Sequence, residues 1–230
     1  MGCREATGDF LVRRVVHGRF QVNYAVHPCI YKPEEDTFLL ADSLIKASHK
    51  GLKPRSIIEL GVGSGYISSL VLSLWNPKLF VGTDINWLAV EGTRISLSMN
   101  EAAFSKASIA LCDKDTCIRE HIVFDLAVSN PPYLPVDDEF RDECDKLLNR
   151  SWSCEHHCLI EFCASLCRRG RVIFMVLSSL SPLDEVFKCM KQFNCQAKIV
   201  ERRKFFFEEI LVVMGEHVHD DTNSSRGNRR

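Results

Sequence analysis

Ser56-Ile57-Ile58-Glu59-Leu60-Gly61-Val62-Gly63-Ser64-Gly65 is the stretch on which the fold turns. Ser56 to Leu60 is a short apolar strand, the three glycines permit a tight turn, and an apolar helix begins at Tyr66. The next apolar run, Leu79-Phe80-Val81-Gly82-Thr83, ends on Asp84. That acid stands about 20 residues beyond the glycines, the spacing of a carboxylate that holds ribose hydroxyls. Strands are expected near 56–60, 79–83, 107–112, 124–129, 171–178, 197–203 and 209–214. Helices are expected near 34–48, 66–75, 87–100, 155–168 and 182–193, the last opened by Pro182, whose missing amide donor is not needed there. Such alternation makes an α/β fold, a doubly wound sheet with helices on both faces.

The second signature lies downstream. Val123 to Val128 reads as a buried strand, and Asn130-Pro131-Pro132-Tyr133 stops it, because two prolines cannot continue a ladder. The stop leaves a carboxamide and a phenol ring at the carboxyl end of a strand, the usual place for ligands in an open α/β sheet. The amide can donate and accept at once, and the ring can lie against a flat group. The pair therefore suits a planar nitrogen, either a side-chain amide or the exocyclic amine of a base. G-x-G-x-G alone is shared by dinucleotide-binding domains and S-adenosylmethionine (SAM) enzymes. Joined to Asn-Pro-Pro-Tyr two strands later, it points to a SAM-dependent methyltransferase.

With these motifs the chain resembles the HemK-like class I methyltransferases, in particular the archaeal and eukaryotic branch that modifies a peptide release factor. Tyr31-Lys32-Pro33-Glu34-Glu35-Asp36-Thr37-Phe38-Leu39-Leu40 is similar to that branch's segment before the fold proper. Glu59 to Gly65 resembles its first SAM motif, Thr83-Asp84-Ile85-Asn86 its second, and Asn130 to Tyr133 its fourth. The similarity is clear from about Tyr31 to Tyr133 and continues weakly to about Gly215. It implies a seven-stranded Rossmann-like sheet, mostly parallel with an antiparallel last strand. It also implies a SAM site built from Thr37, Glu59, Gly61, Gly63, Gly65, Asp84, Ile85, Asp113 and Asn130. Glu59 would lie near the cofactor's charged amino-acid portion and Asp113 near the adenine amine, with Asp115 a rival for that place. Asn130, Pro131, Pro132 and Tyr133 form the implied catalytic set, in which Asn130 and a neighbouring backbone carbonyl accept hydrogen bonds from the substrate amine. No metal ligand is assigned. The implied substrate is the glutamine amide of a release factor's Gly-Gly-Gln loop, and the implied partner is a small zinc-binding activator. The edge strand Ser108 to Leu111 is apolar enough to need such a cover.

One departure concerns the substrate mouth. Relatives carry paired glycines after a Trp and a small residue; here Trp152-Ser153 is followed by Cys154-Glu155-His156-His157. The acidic run Asp137-Asp138-Glu139 reads as a solvated turn, with attraction of a basic loop as the rival.

The 230 residues suit one domain, spanning 31–215, with 1–30 as an N-terminal extension and 216–230 as a polar, disordered tail. Within the extension, Phe10 to Val16 and Phe20 to Val26 flank His17-Gly18 and suggest a hairpin, a cap on the pocket or a docking edge. A net charge of −1 offers no basic field for nucleic acid. No run is long and apolar enough for a membrane span, and no secretory leader stands out. Met1-Gly2-Cys3 hints at acylation, against which Ala6 stands where Ser or Thr is wanted. Eleven cysteines, an odd number without a secreted-domain spacing, read as free thiols in a reducing compartment. The expected location is the cytoplasm, with the nucleus also open. Cys154, Cys158, Cys163 and Cys167 at near-helical spacing read as a buried helix face rather than a metal site. The competing functions are adenine-N6 methylation of a flipped base in RNA or DNA, lysine methylation of a protein, and a non-catalytic binding scaffold.

Overall fold

The computed structural model describes residues 10–99, 104–133, 144, 146–148 and 156–218. The chain opens with β1 (Leu11–His17) and β2 (Phe20–Val26), antiparallel in a register that runs from Leu11 opposite Val26 to His17 opposite Phe20. Gly18, with φ +61°, supplies the left-handed turn that such a hairpin needs. Two strands alone are marginal in water, and this ribbon is stabilised by burial. Val22 joins the main core, β2 packs on the second and third helices, and the Ala25 amide donates to the Ser64 carbonyl at 2.8 Å. The expected extension is therefore integrated with the domain and covers the glycine turn from outside.

Helix α1 (Glu35–His49) leads into β3 (Ser56–Leu60), α2 (Tyr66–Trp75), β4 (Leu79–Asp84), α3 (Trp87–Ser98), β5 (Ala107–Leu111) and β6 (Phe124–Ser129). Then come α4 (His156–Arg169), β7 (Gly170–Ser178), α5 (Leu183–Gln192), β8 (Cys195–Lys204) and β9 (Glu209–His217). The 7-stranded sheet has the order β5-β4-β3-β6-β7-β9-β8. β3, β4, β5, β6 and β7 pair in parallel, and β9 inserts antiparallel between β7 and β8, as expected of a last strand. The strand order reverses at β3 and β6, so their carboxyl ends open a crevice, and both sequence signatures end there.

One apolar layer holds Leu40 and Leu44 of α1, Leu70 of α2 and Leu97 of α3 against one sheet face. The other holds Leu159 and Leu166 of α4 and Val186 and Met190 of α5. Cys163, Cys167, Cys189 and Cys195 are buried free thiols within this second layer.

The expectation of free thiols throughout is corrected at two places. Cys29 pairs with Cys144, 115 residues apart, and Cys112 pairs with Cys117 across a tight loop. Their Cα separations, 4.8 and 6.0 Å, lie in the bridging range. Glu216 and His217, placed in the expected tail 216–230, complete β9. The acylation motif at Gly2 and Cys3, the run Asp137 to Glu139, the loop Trp152 to Glu155 and the tail 219–230 lie outside the described residues.

Candidate active site

The carboxyl end of β3 delivers Glu59 into a cleft of about 440 Å³ that runs between the glycine turn and α4. Glu59 is only 3% exposed, and the Ser68 hydroxyl donates to its Oε2 at 2.6 Å. Burial pushes its carboxyl up to about 8, opposed by the Ser68 hydrogen bond and reinforced by Asp84. A buried carboxyl in this state gains from any ligand that brings a positive charge.

Gly61 and Gly63 adopt φ +80° and +52°, backbone that L side chains rarely enter. The turn they make aims amides inward. Gly61 and Val62 donate to the Thr83 carbonyl at 2.8 and 3.0 Å, and Gly63 donates to Asp84 Oδ2 at 2.9 Å. Asp84 Oδ1 accepts from the Asn86 amide at 2.8 Å. Burial raises the Asp84 pKa, and the amides of Asn86, Gly63 and Ile85 counter it. Thr37, Ile85 and Asp113 line the same cleft. Asp113 is exposed at the rim and holds Lys114 Nζ at 2.7 Å, while Lys114 also reaches Glu161 at 3.2 Å. Burial opposes the charge of Lys114, but these two partners raise its pKa overall.

The structure separates the two rival acids. Asp115 is buried and turned away, bonded to Arg169 at 2.7 Å and Arg168 at 3.2 Å, and so ties the loop to α4. Asp113 is the one that faces the cleft. Gly65 is not among the residues that line the cleft. It sits at the N-cap of α2 with φ +77°, and an added Cβ would meet Thr93 Cα at 3.2 Å. Its role is to let the turn close against α3.

Asn130 stands between this cleft and a second pocket of about 510 Å³, and it lines both. Pro132 faces the first cleft, while Pro131 and Tyr133 face the second, which is mostly apolar. The residue that organises the pair is Asp36, 4% exposed on the buried face of α1. Its Oδ2 accepts from Tyr31 OH, Tyr133 OH and Asn130 Nδ2, each at 3.0 Å. Its Oδ1 accepts from the Thr37 amide at 2.5 Å and the Thr37 hydroxyl at 3.2 Å. Burial and then Asp36 hold both phenols well above the ordinary tyrosine range, so they remain donors.

A carboxylate only accepts, which fixes the Asn130 amide with Nδ2 toward Asp36. Among the described residues, Asn130 Oδ1 is thereby left buried without a hydrogen-bond partner. A buried unsatisfied acceptor costs about 1–3 kcal/mol, and the residue that carries this one lines both pockets. Geometry of this kind suits transfer to a neutral planar NH₂, with a charged, flat ligand in the first cleft.

The methyltransferase small domain model matches residues 31–153. The chain belongs to the methyltransferase small domain family. Among curated proteins, it is 29% identical over 198 residues to a Methanocaldococcus jannaschii protein provisionally named a protein N5-glutamine methyltransferase, covering 84% of this chain and 94% of that one. It is 35% identical over 106 residues to methyltransferase HEMK2 of Homo sapiens, a stretch of 46% of this chain and 49% of the human protein. Among solved structures, the E. cuniculi Mtq2-Trm112 complex, described as responsible for methylating the eRF1 translation termination factor, aligns with a TM-score of 0.61 at 21% identity. That alignment covers 83% of this chain and 99% of the neighbour. A T. thermophilus 16S rRNA N2 G1207 methyltransferase (RsmC) solved with AdoMet and guanosine aligns at TM-score 0.69 and 17% identity, covering 91% of this chain and 51% of that one. The low identities of the two structures show the fold alone.

This small domain methyltransferase keeps its expected site residues together. Thr37, Glu59, Gly61, Gly63, Asp84, Ile85, Asp113 and Asn130 share one cleft. Tyr66, Lys114, Glu161 and Phe162 also line it and were not anticipated. Asp36 is the larger omission. It stands three and four residues before the buried Leu39 and Leu40 of α1, so an acid on the core face was readable from helical spacing.

Proposed function

We propose that this methyltransferase transfers the methyl of SAM to the glutamine side-chain amide of the Gly-Gly-Gln loop of a peptide release factor. The observation that carries the reading is the partnerless Asn130 Oδ1 at the boundary of the two pockets. The donor set fits SAM. Glu59 is placed for a cationic amino-acid portion, Asp84 for ribose hydroxyls, and Asp113 at the rim for an adenine amine. When bound, SAM supplies an electrophilic methyl on a positively charged sulfonium. Asn130 Oδ1 accepts a hydrogen bond from the incoming NH₂, orients its nitrogen, and favours the positive charge that develops there. Asp36 holds the amide through Nδ2, which leaves that oxygen for the substrate. Tyr133 walls the second pocket with its ring while its hydroxyl is held by Asp36. Positioning of this kind supplies several kcal/mol of barrier reduction, on the order of 7–11 in favourable cases.

The names of two curated relatives, a protein N5-glutamine methyltransferase and a release factor glutamine methyltransferase, support the glutamine reading over adenine, and so does the net charge of −1. A lysine ammonium, tetrahedral and charged, suits the planar grip less. The partner we propose is a small zinc-binding activator that docks on β5. Among the described residues this edge strand has no neighbouring strand on its outer side, Leu111 is exposed on it, and Trp87 and Met99 are exposed on the adjoining helix and its end. The proposed substrate places the enzyme in the cytoplasm, with the nucleus also open. The test is labelled SAM offered with a release factor and, in parallel, total RNA, with and without the co-expressed activator. Label on the release factor that vanishes when the Gly-Gly-Gln glutamine is replaced supports the reading. Label on RNA adenine overturns it.

A further inference from the structure

The turn between β8 and β9 carries Phe205-Phe206-Phe207. Phe206 and Phe207 are 92% and 86% exposed and pack only edge-to-face on each other, centroids 4.7 Å apart. Exposed singly, an apolar residue means little; paired aromatics on a rigid tip mark a contact surface. This tip is rigid at its base. The Phe205 amide donates to the Glu208 carbonyl at 2.8 Å. The Ser178 hydroxyl donates to Glu208 Oε2 at 2.5 Å, and the Ser179 amide to the Glu209 carbonyl at 2.8 Å. Arg203, one residue before the end of β8, pairs with Glu35 and, at 3.5 Å, with Asp42, both on α1. Leu180, next to Ser179 in the chain, is 63% exposed.

The position matters as much as the exposure. β9 starts where β7 ends, so the turn lies at the carboxyl end of the sheet, on the side of the crevice. Arg203, just before the turn, holds Glu35, which stands in the chain between Glu34 and Asp36 of the second pocket's lining, so the turn lies on the same side of the sheet as that pocket.

Resting on the functional reading above, we propose that Phe206 and Phe207 are a docking finger for the protein substrate, seated in an apolar groove of the acceptor beside its reactive loop. Two phenylalanines and a leucine offer roughly 400–600 Å², less than the ~800 Å² per partner of a stable dimer. A patch of that size suits a contact that adds to a loop already engaged at Asn130 and still releases product. Because the tip is held by its hydrogen bonds, docking orders little chain.

The experiment compares wild type with the Phe206→Ser/Phe207→Ser double variant on the intact release factor, with activator present. Both positions are exposed, and unchanged melting shows the variant folded. The expected result is a KM for the release factor raised about tenfold or more, with kcat at saturation and SAM affinity within about threefold. Equal KM values for the two enzymes would overturn this inference alone. Loss of self-association, or of binding to lipid vesicles, at unchanged KM would reassign the tip to a second copy or a membrane surface and overturn it likewise. No transfer by the wild-type enzyme would overturn the functional reading and this inference with it.

Discussion

Replacing Asp36 by Asn keeps the shape of the side chain and exchanges one acceptor for a donor. In the wild-type site, Asn130 Nδ2 donates to a carboxylate oxygen at 3.0 Å, and Oδ1 is buried with no partner among the described residues. Reversing the amide would lose a charge-assisted bond of about 1.5–3 kcal/mol and set two acceptors face to face. In Asp36→Asn a new NH₂ can satisfy Oδ1 if Asn130 flips, and the substrate then meets a donor instead of an acceptor. The orientation bias lost is about 2–4 kcal/mol, which at 1.4 kcal/mol per decade lowers kcat about 30- to 1,000-fold. SAM affinity should stay within about threefold, because Asp36 does not line the cofactor cleft. The assay is single-turnover methyl transfer at saturating SAM, with affinity measured by calorimetry on the same preparation. A folded Asp36→Asn enzyme whose rate stays within about threefold of wild type would refute the reasoning.

Other substitutions test separate parts of the account. Glu59→Gln should raise the melting temperature of the cofactor-free protein and weaken SAM binding, both read by calorimetry, since a buried carboxyl no longer resists ionisation. For wild type, the stability contributed by neutral Glu59 is fully present below pH 4.5 and is lost as pH rises to about 8. SAM binding near pH 7 should therefore release a proton, seen as a dependence of the binding heat on the buffer, and affinity should rise toward pH 8. Gly65→Ala forces a Cβ onto Thr93 in left-handed backbone; a cost of about 2 kcal/mol should lower Tm by roughly 4–8 °C. Asp115→Ala strands Arg169, whose guanidinium also donates to the carbonyls of Ile118, Arg119, Glu120 and Ile122, so denaturant titration should show a loss of about 3–5 kcal/mol.

The sheet was legible because its strands are nearly continuous apolar runs punctuated by Gly, Asp or Pro. The expected 56–60, 66–75 and 124–129 coincide with β3, α2 and β6, and β4 and α4 differ by a residue at their ends. The two signatures were legible as well, since each ends a strand at the switch point. What escaped is what only three-dimensional proximity creates. Asp36 meets Asn130 across 94 residues, so its role as the group that orients the amide has no local trace beyond its place on a buried helix face. Cys29 and Cys144 meet across 115 residues. Asp113 and Asp115 are interchangeable in sequence; Arg169, far along the chain, claims the second. Gly65 shares the pattern of Gly61 and Gly63 yet serves helix packing, because the turn has already left the cleft by that residue.

The measurement that bears most directly on the central claim is the methyl-transfer rate of Asn130→Ala in a single turnover, alongside its SAM affinity. The account predicts a rate at saturating SAM lower by about a hundredfold or more, because the lost oxygen acts on the acceptor nitrogen. A rate within about fivefold of wild type would contradict it and move the grip on the substrate to other residues.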